Sequence, residues 1–598
     1  MRQNRSIFIV LALSLLIGIF TLQRYGESWD DLSLQKYADK SLQAYRSWLL
    51  DSEVQITSEE LGNYGPSYVM AVALASRPLS AVLPFGLPDI RHLIYFVTFL
   101  IGLWAFYSLS LRWLSRRATL VATLLLMTQP VFWGHAFINP KDTSFLAFFL
   151  LSLYFGFRLF DSLDLTQSDN LRAQNKRTLT LLSGLWLASV FGLFLFTDAF
   201  HAFLTTLVES AKAGNTNIIS WIASDLAKTD AVVYIKRYFV FFIQLRLVYF
   251  ILSTLILILI YRKLFPATLS SQFSILFPAI FLGIATSIRI LGPFAGLLVG
   301  IYAIYKKGKQ AIPTLFAYSI VALIVMYATW PYLWPDPIGR LIESFKVMSQ
   351  YPWEGQVLFN GIQYSSTNIP RSYLPVVLAI QMTEPIWGLF FAGLTVAIIG
   401  LVKKRENVEL LVLTAVWFVL PLTGFIVARA PLYDNFRQIF FILPPVFMLV
   451  GIVFEKIKQP ALQIALIALA LLPGVVGVVR LYPYEYMYYN TFIGGETGAF
   501  RRFELDYWGT SYREAAEWMN ENAPTDTNVW ADGPSHLLEL YLQPGFHIYS
   551  GHEAERADHY DYVVSITRYD LDLRSYPDAE IVHRVEKNGV LLAVIKQP

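Results

Sequence analysis

Three short stretches of this sequence carry side chains able to take a proton and to hold an anion. Glu27-Ser28-Trp29-Asp30-Asp31 sets two adjacent carboxylates beside a tryptophan. Asn139-Pro140-Lys141-Asp142 places an ammonium next to an acid, and Pro431-Leu432-Tyr433-Asp434-Asn435-Phe436-Arg437-Gln438 carries an arginine three residues after an aspartate. Each has an ordinary structural use. Aspartate before a helix caps it, and Asn, Pro and Asp in that order form a sound helix start. Arg437 can simply pair with Asp434. A single carboxylate suffices for a cap, however, and two side by side repel each other near a low-dielectric surface. Asp30, Asp31 and Asp142 are therefore candidates for a general base. Arg289 and Arg437, then Lys141 and Arg371, are the expected partners of a phosphate. One base plus cations suits a direct displacement in which a phosphate leaves as a stable anion and needs no general acid.

Composition says what must position these groups. The chain has 598 residues, of which 55% are hydrophobic and 16% aromatic, and its mean hydropathy is +0.47. That much apolar surface points to a polytopic membrane protein. A formal charge of +3 is too small to suggest nucleic acid. Cysteine is absent, which excludes disulfides, thiolate metal sites and a cysteine nucleophile. Arg2 and Arg5 precede the apolar run Ile7–Leu22, which exits through Thr21-Leu22-Gln23-Arg24 with no small-residue cleavage site and reads as an uncleaved anchor.

With Arg2 and Arg5 inside, Asp30 and Asp31 fall outside the membrane. Gly65–Phe85 is expected on the outer surface, because a crossing there would put Arg112, Arg116 and Arg117 on the wrong side. Further spans are expected at about 91–112, 118–136, 143–162, 178–199, 238–262, 271–288, 291–305, 311–330, 374–402, 409–429, 437–455 and 461–480, thirteen in all with the first. Glu384-Pro385 is a plausible helix start within the 374–402 run. The domains expected are 1–480, a transmembrane part with outer loops 23–90 and 331–373, and 481–598, a small extracytoplasmic α/β domain. In the latter, a helix over 511–522 and strands at Thr527–Ala531, Tyr562–Ile566 and Val590–Ile595 fit the pattern. Arg246 lies deep in a span without an evident partner, and His135 and His201 read as interfacial histidines rather than metal ligands.

At these residues the chain resembles the GT-C glycosyltransferases, the relatives of protein O-mannosyltransferases and of the lipid A aminoarabinose transferase. Asp30-Asp31 matches their acidic pair in the first outer loop, although Asp-Glu is commoner there, and Asp142 matches their second acidic position at the start of the fourth span. The resemblance implies an all-α polytopic fold of about thirteen spans with an extracytoplasmic C-terminal domain. It also implies a polyprenyl-phosphate sugar donor, inversion at the anomeric carbon, and a glycan, lipid or protein acceptor, with Asp30 as the base and Asp31 and Asp142 orienting the acceptor or holding a divalent cation. Arg437, followed by Leu443-Pro444-Pro445, looks like the basic span start that meets the lipid phosphate. The competing class is a transporter or flippase of lipid-linked sugars. Such proteins tend to show inverted repeats and polar groups at the midplane, whereas here the polar groups gather at one rim.

Overall fold

The computed structural model describes residues 5–50, 56, 61–162, 169–222, 229–264, 275–349, 351, 353, 355–404, 406–551 and 559–598. Arg2 lies outside the described residues, as do residues 271–274 of one expected span. Among the described residues, eight helical stretches are long and apolar enough to cross a membrane: Arg5–Arg24, Leu87–Ser110, Asp142–Asp161, Ala231–Ile260, Pro293–Ala328, Pro385–Lys403, Val408–Ala428 and Pro460–Leu481. Arg116–Met127 with Pro130–Ile138 makes a ninth, bent by 65°. The chain is a multi-pass helical membrane protein with a small sheet near its C-terminus.

The differences from thirteen spans have local causes. The expected spans 291–305 and 311–330 appear as the helices Pro293–Lys307 and Ile312–Ala328. The tight turn Gly308–Ala311, with Gly308 at φ 58°, joins them into the one apolar stretch Pro293–Ala328. Leu276–Ile288 and Pro444–Lys456 have 13 residues each. Thirteen residues rise only about 20 Å, short of a hydrocarbon core of about 30 Å. The 374–402 run is divided. Tyr373–Gln381 is one helix and Pro385 opens the next, as the Glu384-Pro385 step suggests. Gly65–Phe85 yields a 16-residue helix, Ser67–Val82, below spanning length.

In chain order the first helices are α1 (Arg5–Thr21), α2 (Asp31–Leu50), α3 (Ser67–Val82), α4 (Leu87–Ser110), α5 (Arg116–Met127), α6 (Pro130–Ile138) and α7 (Asp142–Asp161). The stretch 118–136, expected as one straight span, is broken between α5 and α6. Pro130 has no N–H to continue the ladder, and it drives Gln129 out of the helical region to φ −65°, ψ 118°. Gln129 answers by exchanging hydrogen bonds with Thr383, whose N–H lies 3.0 Å from Gln129 Oε1. The bend delivers His135 and Asn139 to the start of α7.

The chain forms two compact units, Met1–Gln35 with Ala71–Tyr154 and Ser349–Pro598, and Lys36–Met70 with Phe155–Met348. The second is packed around Trp330, Trp334, Tyr37, Tyr327 and Phe250. Arg246, buried there, answers its charge with neutral dipoles: Thr197 Oγ1 at 2.7 Å and the Trp334 and Pro335 carbonyls at 3.0 and 3.3 Å. Arg289 also belongs to this unit, ending the helix Leu276–Ile288 with its N–H on the Ala285 carbonyl.

In the first unit, β1 (Gln356–Phe359) and β2 (Ile362–Ser365) form a hairpin. The remaining strands are β3 (Thr527–Asp532), β4 (Phe546–Tyr549), β5 (Tyr562–Ile566), β6 (Glu580–Lys587) and β7 (Val590–Gln597). They make one sheet in the order β4-β3-β5-β7-β6, parallel across β4-β3-β5 and antiparallel from β5 to β6. Asn588 and Gly589, both at positive φ, close the β6–β7 hairpin in two residues. The helix Tyr512–Asn522 covers the sheet with Tyr512, Ala515, Ala516 and Met519, an i, i+3, i+4, i+7 stripe. The membrane helices of this unit pack closely. A Cβ on Gly393 would stand 2.0 Å from the Leu449 carbonyl. Gly393→Val is expected to lose roughly 1–3 kcal/mol of stability, read as a lower thermal unfolding midpoint in detergent; an unchanged midpoint would refute this contact.

Candidate active site

The local chemistry of each stretch explains its place. Ser28-Trp29-Asp30-Asp31 is a capping arrangement: Asp31 Oδ2 accepts from the Ser28 N–H at 2.9 Å and from its hydroxyl at 3.0 Å. Tyr95 Oη donates to the other oxygen at 3.4 Å. Asp31 is buried and points back at its own loop. Asp30 does not share that fate. Its side chain is 38% exposed and pairs with Lys141 Nζ at 3.2 Å. The adjacent acids thus take separate work, one structural and one facing open space.

Environment separates them electrostatically too. Burial, partly offset by the Ser28 donors and reinforced by the Asp30 charge, pushes Asp31 up to about 6. Burial acts the same way on Asp30, but the Lys141 ammonium and the Arg437 guanidinium outweigh it and hold that carboxyl below its usual range. A pair of carboxyls pushed apart by their surroundings is a familiar arrangement for assigning one of them a proton-transfer role.

Asn139 caps α7, its Oδ1 accepting from the N–H groups of Lys141 at 3.1 Å and Asp142 at 2.9 Å. Its amide nitrogen donates to Asp142 Oδ2 at 2.7 Å and stands 3.0 Å from His135 Nδ1. The other His135 nitrogen lies 2.9 Å from the Tyr507 hydroxyl. From Asp142 a chain of buried ion pairs runs outward. Arg437 Nη1 donates to Asp142 Oδ2 at 2.9 Å and Nη2 donates to Asp434 Oδ2 at 2.9 Å. Arg568, from the segment after β5, donates to Asp434 Oδ1 at 2.7 Å and to the Tyr507 carbonyl at 2.6 Å. Its Nε lies 3.8 Å from Glu504, which burial pushes up to about 7 against the pull of Arg568. Rings wall the two guanidinium groups: Trp508 and Tyr433 at 4.5 and 5.0 Å from Arg437, Tyr569, Trp353 and Trp29 at 5.0 to 5.6 Å from Arg568.

The first loop is seated against residues far away in sequence. Trp29 N–H donates to the Trp508 carbonyl at 3.0 Å, and His536 Nε2 stands 3.1 Å from the Trp29 carbonyl. Gly26 permits the approach, since a Cβ there would stand 2.5 Å from the Thr510 carbonyl. Beside it, Glu27 is buried against Arg91.

Of the residues singled out from the sequence, Asp30, Asp31, Lys141, Asp142 and Arg437 come together in one unit. Arg371 does not join them: it is exposed and lines a small pocket with Arg429, Phe425 and Leu432. Arg289 lies in the other unit. Arg437 has both terminal nitrogens engaged by carboxylates, so its charge reaches Asp30 as a field. Lys141 is the cation beside the half-exposed acid. Sequence reasoning missed Arg568 and Glu504, which no motif links to Asp434. Among the described residues no group of three His, Cys, Asp or Glu side chains could hold a metal ion. The acids proposed as ligands, Asp31 and Asp142, have oxygens filled by Ser28, Asn139 and Arg437. This donor set suits ammonium and guanidinium.

No known family description matches this sequence, and no curated protein does. Among solved structures, the chain is similar to the oligosaccharyltransferase of Archaeoglobus fulgidus in its apo form, with 16% identity and a TM-score of 0.38 over 94% of this chain. It spans 62% of that protein's length. The A. fulgidus oligosaccharyltransferase AglB in complex with an inhibitory peptide and a dolichol-phosphate matches with 14% identity and a TM-score of 0.38, covering 96% of this chain and 70% of that one. ArnT from Cupriavidus metallidurans bound to undecaprenyl phosphate matches with 14% identity and a TM-score of 0.29, covering 99% and 98%. At these values the likenesses assign no chemistry to this chain, which has to be argued from its own residues.

Arg437→Met leaves Asp142 and Asp434 buried without their shared guanidinium and is expected to cost about 3–5 kcal/mol. Lys141→Gln, whose partner is half exposed, is expected to cost under about 1 kcal/mol. Thermal unfolding of both variants in one detergent checks the contrast, and equal losses would contradict it.

Proposed function

We propose that this chain is a membrane glycosyltransferase that moves a sugar from a polyprenyl-phosphate donor to an acceptor hydroxyl with inversion. What supports the reading most is the half-exposed Asp30 carboxylate, 3.2 Å from Lys141 and in the field of Arg437. In this scheme Asp30 takes the acceptor proton as the acceptor oxygen attacks the anomeric carbon. The bond from that carbon to the phosphate oxygen breaks on the opposite face, and the lipid phosphate leaves with the electron pair. Lys141, one ammonium beside both groups, turns from Asp30 toward the developing phosphate charge. Asp142 and Asp434 hold Arg437 in place, and the rigid start of α7 fixes Lys141. The site faces the extracytoplasmic side if Arg5 is retained inside. The acceptor is a glycan, a lipid or a protein hydroxyl, and membrane lipids surround the spans.

Asp30→Asn is expected to abolish transfer from a polyprenyl-phosphate sugar while leaving expression and thermal midpoint near wild type; normal turnover by this variant would sink the assignment. The pH profile supplies a second check. Asp30 works as the anion, and Lys141 and Arg437 depress its protonation, so the acid limb of wild-type activity should lie below the ordinary carboxylate range. Lys141→Gln removes one of those cations, so the acid limb of kcat/KM should move to higher pH; a limb that stays put or moves lower contradicts the pairing.

A further inference from the structure

We infer that Arg568 is a positioning residue for the phosphate-binding side of this site, acting through Asp434 on Arg437. The inference rests on the transferase reading above, and goes beyond it by assigning a site role to the C-terminal α/β segment. Arg568 sits between β5 and β6, far in sequence from the Pro431–Gln438 stretch, yet its side chain is nearly fully buried against Asp434 of that stretch. Both its terminal nitrogens are committed, one to Asp434 and one to the Tyr507 carbonyl.

Asp434 is the shared element. One oxygen receives Arg437 and the other receives Arg568. Asp434 and Asn435 both lie at positive φ, at 53° and 65°, a backbone that non-glycine residues rarely adopt and that turns this carboxylate into the cluster. Without Arg568, Asp434 keeps a single counter-charge, and its whole attraction falls on Arg437. Arg437 is then drawn toward Asp434 and away from Asp142, and less of its charge reaches the Asp30–Lys141 pair. Glu504, beside Arg568, loses its cation as well. Lys141, Arg437 and Arg568 answer Asp30, Asp142 and Asp434, so loss of Arg568 leaves these carboxylates one cation short. Aromatic rings on several sides also hold Arg568 in one orientation; Trp29, the neighbour of Asp30, is one of them.

The full-length protein in detergent, titrated with undecaprenyl phosphate and followed by ligand-dependent thermal stabilisation, tests this. Wild type is expected to bind; absence of binding by wild type overturns the transferase reading itself. Arg568→Gln is expected to bind at least tenfold more weakly. Arg568→Lys, which keeps the charge but not the fork, should recover part of that loss. In an Asp434→Asn background, Arg568→Gln should add less than threefold, since the two act as a unit. Arg501→Gln, which breaks the nearby pairs with Asp570 and Asp572, is the control for local damage and should bind as wild type. Wild-type affinity in Arg568→Gln, full additivity with Asp434→Asn, or an equal loss in Arg501→Gln would each overturn the positioning role.

Discussion

The buried chain Asp142–Arg437–Asp434–Arg568 is the constraint on which the site depends. Four ionised side chains removed from water are costly unless each finds its partner, and here every carboxylate meets a guanidinium within 2.9 Å. The geometry of that alternation is demanding. It fixes the start of α7, the turn before Pro444 and the segment after β5 against one another. Lys141 follows because it is one residue from Asp142, and the Asp30 carboxylate then sits where Lys141 meets it. Placement of the Asp30 carboxylate is thus a consequence of a charge pattern far from it in sequence.

The division of labour between Asp30 and Asp31 follows from a simple asymmetry. A helix start needs one side-chain acceptor, and Asp31 supplies it to Ser28. Once that carboxylate faces inward, the preceding residue must project another way, toward Lys141. Burial makes Asp31 easier to protonate than Asp30. The doublet is therefore both a cap and a candidate base, rather than one or the other.

Much of this could be seen in the sequence, and the reasons are local. Asn139-Pro140-Lys141-Asp142 announced a helix start because capping is decided within four residues. Glu384-Pro385 marked a helix boundary in the same way, and the α/β tail showed its helix and strands through plain periodicity. The Asp434–Arg437 pair was visible because i, i+3 contacts follow from spacing. What escaped was set by contacts across the fold. Hydropathy cannot see the 65° break at Pro130, since both arms are apolar. Arg371, one of several arginines in polar stretches, proved to be exposed, because composition does not say which cation turns inward. Arg246, for which the sequence shows no evident partner, meets a hydroxyl and backbone carbonyls.

Arg568 shows why a tail of this kind is hard to assign from sequence. Its strands and helix bury an ordinary small core of Ala515, Met519, Val529, Val564 and Ile595, and nothing in that pattern points to a membrane. Yet Trp508 and His536 hold both backbone polar groups of Trp29, and Arg513 reaches the Tyr25 carbonyl at 2.9 Å. The six-residue loop 25–30, between the first apolar span and an amphipathic helix, has little means of holding its own shape, because ordering each residue costs about 1–2 kcal/mol. The tail supplies the missing hydrogen-bond partners, so the loop that carries Asp30 gains its definition from residues encoded near the other end of the chain. On this view the α/β segment is part of the apparatus that holds the acid in place, and the membrane helices alone would leave Asp30 on a loop without a fixed direction.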